Sequence, residues 1–198
     1  RFNFIGNTVS DGPIMSFNKH TVNHCIFADN NCNDILYMPN DWGGLSTVRN
    51  TLLVNNTVKR NVIRKEAASA SSALEIENVT IAHNTSSGAE CAGVYVKGQS
   101  QKQTFGMYNT IVFGNRLQSK DDAGNYVYTV SDFMLVDVND YYEIQNNCYQ
   151  SESLDLGVGN ISADPKFVSP MNGNFALKGS SPCIGTGAVR NWTIEDKD

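Results

Sequence analysis

The side chains best equipped for chemistry in this chain are scattered carboxylates, thiols, imidazoles and a group of loop aromatics. Asp121 and Asp122 are adjacent, and paired carboxylates are the usual equipment for glycosidic acid–base work. They sit, however, in Lys120-Asp121-Asp122-Ala123-Gly124-Asn125, a run of turn formers that reads as a hairpin tip. Asp132, Asp137 and Asp140 are oxygen donors close in sequence, but their spacing matches neither an EF-hand nor a nonapeptide calcium repeat. His20 and His24 stand four apart. On a strand that spacing separates them by about 13 Å, too far to share a metal. The five cysteines, Cys25, Cys32, Cys91, Cys148 and Cys183, include no CxxC pair. No metal site is therefore expected. The thiols read as mostly buried and free, with Cys25–Cys32 the alternative pairing.

The aromatics offer different chemistry. Tyr126 and Tyr128 alternate in a long insertion from about 116 to 131 and share one strand face. Trp42 follows Asp41 in another loop, and Tyr141-Tyr142 precedes a repeat anchor. Sugars have apolar C–H faces, so aromatic rings beside polar groups suit them, and loops on a rigid scaffold are where binding groups concentrate. Asp41, Trp42, Tyr126, Tyr128, Tyr141 and Tyr142 are the candidate carbohydrate-binding residues. The Asn-x-Ser/Thr sequons at Asn55, Asn78, Asn84, Asn160 and Asn191 arise by chance in a chain with 24 asparagines.

The elements that hold these residues follow from an internal repeat. Five segments share a mostly apolar residue two before an Asn and an apolar residue three after it, with anchors at Asn23, Asn50, Asn78, Asn109 and Asn146. A second Asn follows six later at Asn56, Asn84 and Asn115. The apolar runs are short, rich in Val, Ile, Thr, Phe and Tyr, and bounded by Asn, Gly and Ser, which are strand signals. Strands repeating every 27–37 residues imply a solenoid, each coil bonded to the next at about 4.8 Å. The column three after the anchor (Ile26, Leu53, Ile81, Val112, Tyr149) is expected to face inward. The anchor asparagines suit sharp left-handed corners and are expected to stack as a structural ladder. One short helix is expected over 61–70.

Composition agrees. The 198 residues are 40% hydrophobic and 18% charged with a net charge of -5, which argues against disorder and supplies no basic footprint for nucleic acid. No apolar run reaches the roughly 20 residues of a membrane span.

The repeat, with Asn78-Val79-Thr80-Ile81-Ala82-His83-Asn84-Thr85 as its fullest copy, resembles the right-handed parallel β-helix, or pectate-lyase-like, superfamily. The run from Ala163-Asp164-Pro165-Lys166-Phe167-Val168 through Asn172-Gly173-Asn174-Phe175-Ala176-Leu177 to Gly179-Ser180-Ser181-Pro182-Cys183-Ile184-Gly185-Thr186-Gly187 looks like the closing signature of secreted or surface-anchored bacterial β-helix proteins, especially from Bacteroidota. The resemblance implies an all-β solenoid of about six to seven coils with loop insertions, forming one domain over 1–198. Coils fill 1–162, 163–187 is the last strand and C-terminal cap, and 188–198 is a tail. It also implies an extracytoplasmic piece of a longer protein, in contact with polysaccharide or a cell-surface glycan. The lyase Arg-x-Pro-x-x-Arg signature and the Gly-His-Gly and Arg-Ile-Lys motifs of polygalacturonases are absent, so the expected role is a module without a complete catalytic site. The competing readings are part of a polysaccharide lyase, or less readily a glycoside hydrolase, with calcium as cofactor only for a lyase, and a structural stalk or adhesin segment.

Overall fold

The computed structural model describes residues 2–39, 44–66, 72–88, 91–98, 104–138, 142–150 and 157–190. The chain is all-β and winds as a parallel β-helix. Each full coil contributes one strand to each of four sheets, in the chain order D, A, B, C. Sheet D stacks Thr21–Asn23, Gly44–Arg49, Ser72–Glu77, Thr104–Tyr108 and Tyr142–Gln145. Sheet A stacks Asn3–Ile5, Ile26–Ala28, Leu52–Val54, Thr80–Ala82, Ile111–Phe113 and Cys148–Tyr149, and so defines six coils. Sheet B comprises Asn31–Cys32, Thr57–Val58, Thr85–Ser86, Arg116–Lys120 and Tyr126–Val130. Sheet C comprises Met15–Ser16, Leu36–Met38, Ile63–Glu66, Val94–Lys97 and Phe133–Val136.

Short strands suffice because each needs only one or two residues pointing inward. Val22, Val48, Ile76, Met107 and Ile144 form one interior column and Leu36, Ile63 and Val94 another. Burying each such side chain contributes about 1.5–3 kcal/mol. In sheet A the inward column is Phe27, Leu53, Ile81, Val112 and Tyr149, with Phe4 stacked on Phe27 at 4.8 Å between ring centroids. Ile26 is therefore one place off. It pairs with Leu52 on the outward column. The reason lies at the preceding corner. The left-handed residue is His24 (φ 53°) rather than Asn23, whereas Asn50, Asn78, Asn109 and Asn146 take that conformation in the later coils. Asn23 is the last residue of its strand and pairs with Arg49. The segment expected as a helix over 61–70 contains the strand Ile63–Glu66, whose Ile63 and Lys65 are buried, and 67–70 lies outside the described residues.

Two amide ladders run along the axis. At the anchor corner Asn50 Nδ2 donates to Asn23 Oδ1 (3.0 Å) and Asn78 Nδ2 to Asn50 Oδ1 (3.2 Å). Asn109 and Asn146 instead donate to the carbonyls of Ala188 (2.8 Å) and Thr186 (3.0 Å). A second ladder, buried from Asn30 onward, occupies the corner between sheets A and B, in the order Asn7, Asn30, Asn56, Asn84, Asn115 and Asp132. Each Asn donates its backbone N–H and its Nδ2 to the Oδ1 of the next residue, as in Asn56 to Asn84 (both 2.9 Å). Each internal amide also closes on a sheet A carbonyl, as in Asn56 Nδ2 to Phe27 O at 3.0 Å. A turn this deep inside would otherwise strand its backbone donors, and the side-chain amides satisfy them.

The C-terminal segment does not add a strand to the stack. Phe167–Ser169 pairs antiparallel with Asn174–Leu177, across a 3-10 turn at Pro170–Asn172. This hairpin lies against the outside of sheet A. Phe167 and Phe175 pack at 5.1 Å between centroids and cover Ala28, Val54 and Ala82, with Ile26, Leu52, Ile111 and Leu177 around them. The expected last strand and end cap over 163–187 is thus a side cover. Sheet A is apolar on both faces, and the outer face needs burying as much as the inner one.

Candidate functional site

The fourth and fifth strands of sheet B, Arg116–Lys120 and Tyr126–Val130, form an antiparallel hairpin just before the sheet C strand Phe133–Val136. Its turn is set by Asp121, whose Oδ1 accepts from the backbone N–H of Ala123 (2.9 Å) and Asn125 (2.8 Å). Asp121 thus closes a turn, and those backbone donors, Asn125 foremost, hold its carboxyl below the usual carboxylate range. The pair Asp121-Asp122 is turn geometry.

Along the hairpin, Tyr126 lies opposite Lys120 and Tyr128 opposite Gln118, so all four share one face. The Lys120 ammonium stands 5.3 Å from the Tyr126 ring centroid, and Gln118 Nε2 donates to the Tyr128 hydroxyl at 2.9 Å. The rings stay in solvent: Tyr126 is 60% and Tyr128 52% exposed. Each partner orients a ring without covering it. The strand is exposed along its whole length and forms the free edge of sheet B. A two-stranded ribbon that buries so little adds little stability.

Other candidates separate from this face. Tyr142 opens the last strand of sheet D, paired with Phe105 and 37% exposed. Asp41, Trp42 and Tyr141 lie outside the described residues, as does Asp140. Asp137 is a left-handed corner residue. Asp132 is buried at the end of the Asn ladder. Its Oδ1 accepts from Asn115, its Oδ2 accepts from the Gln150 N–H (2.8 Å), and burial pushes its carboxyl up to about 7. No group of three or more His, Cys, Asp or Glu side chains gathers to hold a metal among the described residues.

Two polar faces escaped the sequence reading. On the outside of sheet C, Tyr37, Arg64 and Tyr95 occupy consecutive rungs. Arg64 pairs with Glu66 and stacks over Tyr95 (5.1 Å), while Tyr37 donates to Glu66 (2.9 Å) and lies under Arg60 (5.5 Å). Arg60 in turn pairs with the buried Asp34. The spacing of Tyr37, Arg64 and Tyr95 follows the repeat, so extending the register into sheet C exposes the row. On the outside of sheet D, Glu77 lies between Arg49 and Tyr108 on neighbouring rungs. Burial lifts its carboxyl to about 7 against the pull of Arg190 and Arg49. Arg190 stacks on the Tyr108 ring at 3.3 Å, and the Tyr108 hydroxyl donates to Glu143 at 2.7 Å. Such a carboxyl has the affinity of a general acid or base. Glu77 is nevertheless fully buried, with no surface to offer a substrate.

No protein-family model, curated protein or solved structure matches the chain. No helix among the described residues is long and apolar enough to cross a membrane.

Proposed function

We propose that this protein is an extracytoplasmic β-helix module that contacts polysaccharide through the hairpin 116–130 and carries no complete catalytic site. One observation carries the reading: two tyrosine rings, spaced two residues apart on one face, stay more than half exposed beside an amide and an ammonium. Tyrosine is on average partly buried, and here both rings lie outside the two core clusters. A sugar ring laid on either tyrosine gains an apolar platform, with Gln118 and Lys120 placed to meet its hydroxyls. The arginines and carboxylates on sheets C and D pair with one another or stack on neighbouring rings, whereas the hairpin tyrosines keep most of their surface in solvent.

The test is affinity electrophoresis in gels containing uronic-acid or neutral polysaccharides, run beside assays for unsaturated uronate and new reducing ends. The module is expected to be retarded by at least one glycan and to release no product. The double variant Y126A/Y128A is expected to lose roughly tenfold or more in affinity. Release of product, or retardation undiminished in the double variant, contradicts the proposal. The reading as a structural stalk is the one left by a uniform absence of retardation.

A further inference from the structure

We propose that Cys148 and Cys183 form a redox cross-link that locks the C-terminal segment onto the β-helix. Cys148 belongs to the last strand of sheet A and occupies the outward column after Ile111. Cys183 lies in the turn that follows the C-terminal hairpin. Both side chains line one cavity of about 420 Å³ between the sheet A corner and the C-terminal segment, near enough for each thiol to act on the other electrostatically. Tethers on each side hold them there. Cys148 Sγ donates to Ala163 O (3.1 Å), and Asn146 Nδ2 donates to Thr186 O (3.0 Å). The turn itself is pinned by Cys183 N–H to Ser181 Oγ (3.1 Å) and Thr186 Oγ1 to Cys183 O (3.0 Å). Cys25, Cys32 and Cys91 are isolated from one another, each donating to a nearby backbone carbonyl. The Cys25–Cys32 pairing weighed on sequence grounds is not the one the fold brings together.

The co-reactant is a small-molecule disulfide, RSSR. Cys183 is the more exposed sulfur, so its thiolate attacks RSSR and releases one RSH, leaving a mixed disulfide. Cys148 then gives up its proton and displaces the second RSH, closing the protein disulfide. Two protein thiols are oxidised and one RSSR is reduced to two RSH. Burial pushes the Cys148 thiol up to about 12, so the second step is the slower one and accelerates with rising pH. The product holds the hairpin over the apolar outer face of sheet A without relying on side-chain packing alone.

The test uses oxidised glutathione as the probe on the intact chain at mildly alkaline pH. Free thiols are then alkylated in denaturant and the chain is digested without reduction. Cleavage after Lys166 and Lys178 puts Cys148 and Cys183 on separate peptides. The expected result is a single linked pair of those peptides, with Cys25, Cys32 and Cys91 alkylated. The melting temperature should rise by several degrees and return on reduction. In C148S the expected product is glutathione retained on Cys183. Alkylation of all five cysteines, glutathione persisting on Cys183 of the unaltered chain, or a linked pair of any other composition overturns the proposal.

Discussion

At the scale of single residues, the buried asparagines carry more structural consequence than the exposed ones. Asn84 accepts from Asn56 twice, donates to Asn115 Oδ1 and closes on Leu53 O at 3.0 Å, all with no solvent in reach. Replacing it by Ala leaves two donors and a carbonyl unpaired, so Asn84→Ala is expected to cost roughly 2–4 kcal/mol in urea unfolding. Asn50→Ala, on the exposed ladder, should cost less than half of that. Asp132 ends the buried ladder and makes stability depend on pH. An unfolded Asp titrates near 4, whereas burial holds Asp132 near 7. Between those values the folded chain binds the extra proton, so this residue's contribution is most favourable below about pH 4. It declines as the pH rises through 7. Glu77 acts in the same sense. The urea midpoint is therefore expected to be higher at pH 5 than at pH 8, and the double variant D132N/E77Q should lose most of that difference. An equal difference in the variant would assign it to other groups. The asparagine periodicity was legible in the sequence, including the second set at Asn56, Asn84 and Asn115, but which set is buried was not. Left-handed corners accept Asn, Asp and His alike, so residue type alone could not assign the first corner to His24 rather than Asn23.

At the scale of elements, alternation and turn chemistry made the hairpin readable in advance. Lys120 to Asn125 marks its tip, and Tyr126 and Tyr128 share a face because strand side chains have a period of two. The same logic failed for 61–70, where Ile63, Lys65 and their neighbours were too few to separate a strand from a helical turn. Lys65 further obscured the pattern by being a buried cation on an inward position. For the hairpin itself, V127T is expected to leave both stability and glycan retardation nearly unchanged. Val127 lies on the opposite face from the tyrosines and is 40% exposed. A loss of retardation in V127T comparable to that of Y126A/Y128A would place the contact on the wrong face.

At the scale of the whole molecule, stability is distributed along a stack in which each coil touches its neighbours, and the C-terminal hairpin ties several coils together from outside. Phe167–Ser169 and Asn174–Leu177 carry the same alternating apolar signal as the stacked strands, so the sequence motif located the segment without revealing that it lies on a side. Removing residues 163–198 is expected to expose the outer face of sheet A and to produce dye binding and self-association, measurable by 8-anilinonaphthalene fluorescence and light scattering. Phe175→Ala should show the same effects more weakly, with a loss of roughly 2–4 kcal/mol. The hairpin 116–130 has a consequence for length itself. Among the described residues, sheet B alone of the four stacked sheets ends in a strand that runs against its neighbour. A coil laid on that edge would meet reversed ladder geometry. At the adjoining corner it would find a carboxylate where the column otherwise presents an amide. Growth by duplication is therefore obstructed at that point and unobstructed before it. The C-terminal hairpin rests on the second to fourth rungs through Ala28, Val54 and Ala82, so a coil gained or lost there changes what it covers. The tyrosine face on the later rungs keeps its own strands, and reach and recognition are thus built from different parts of the stack.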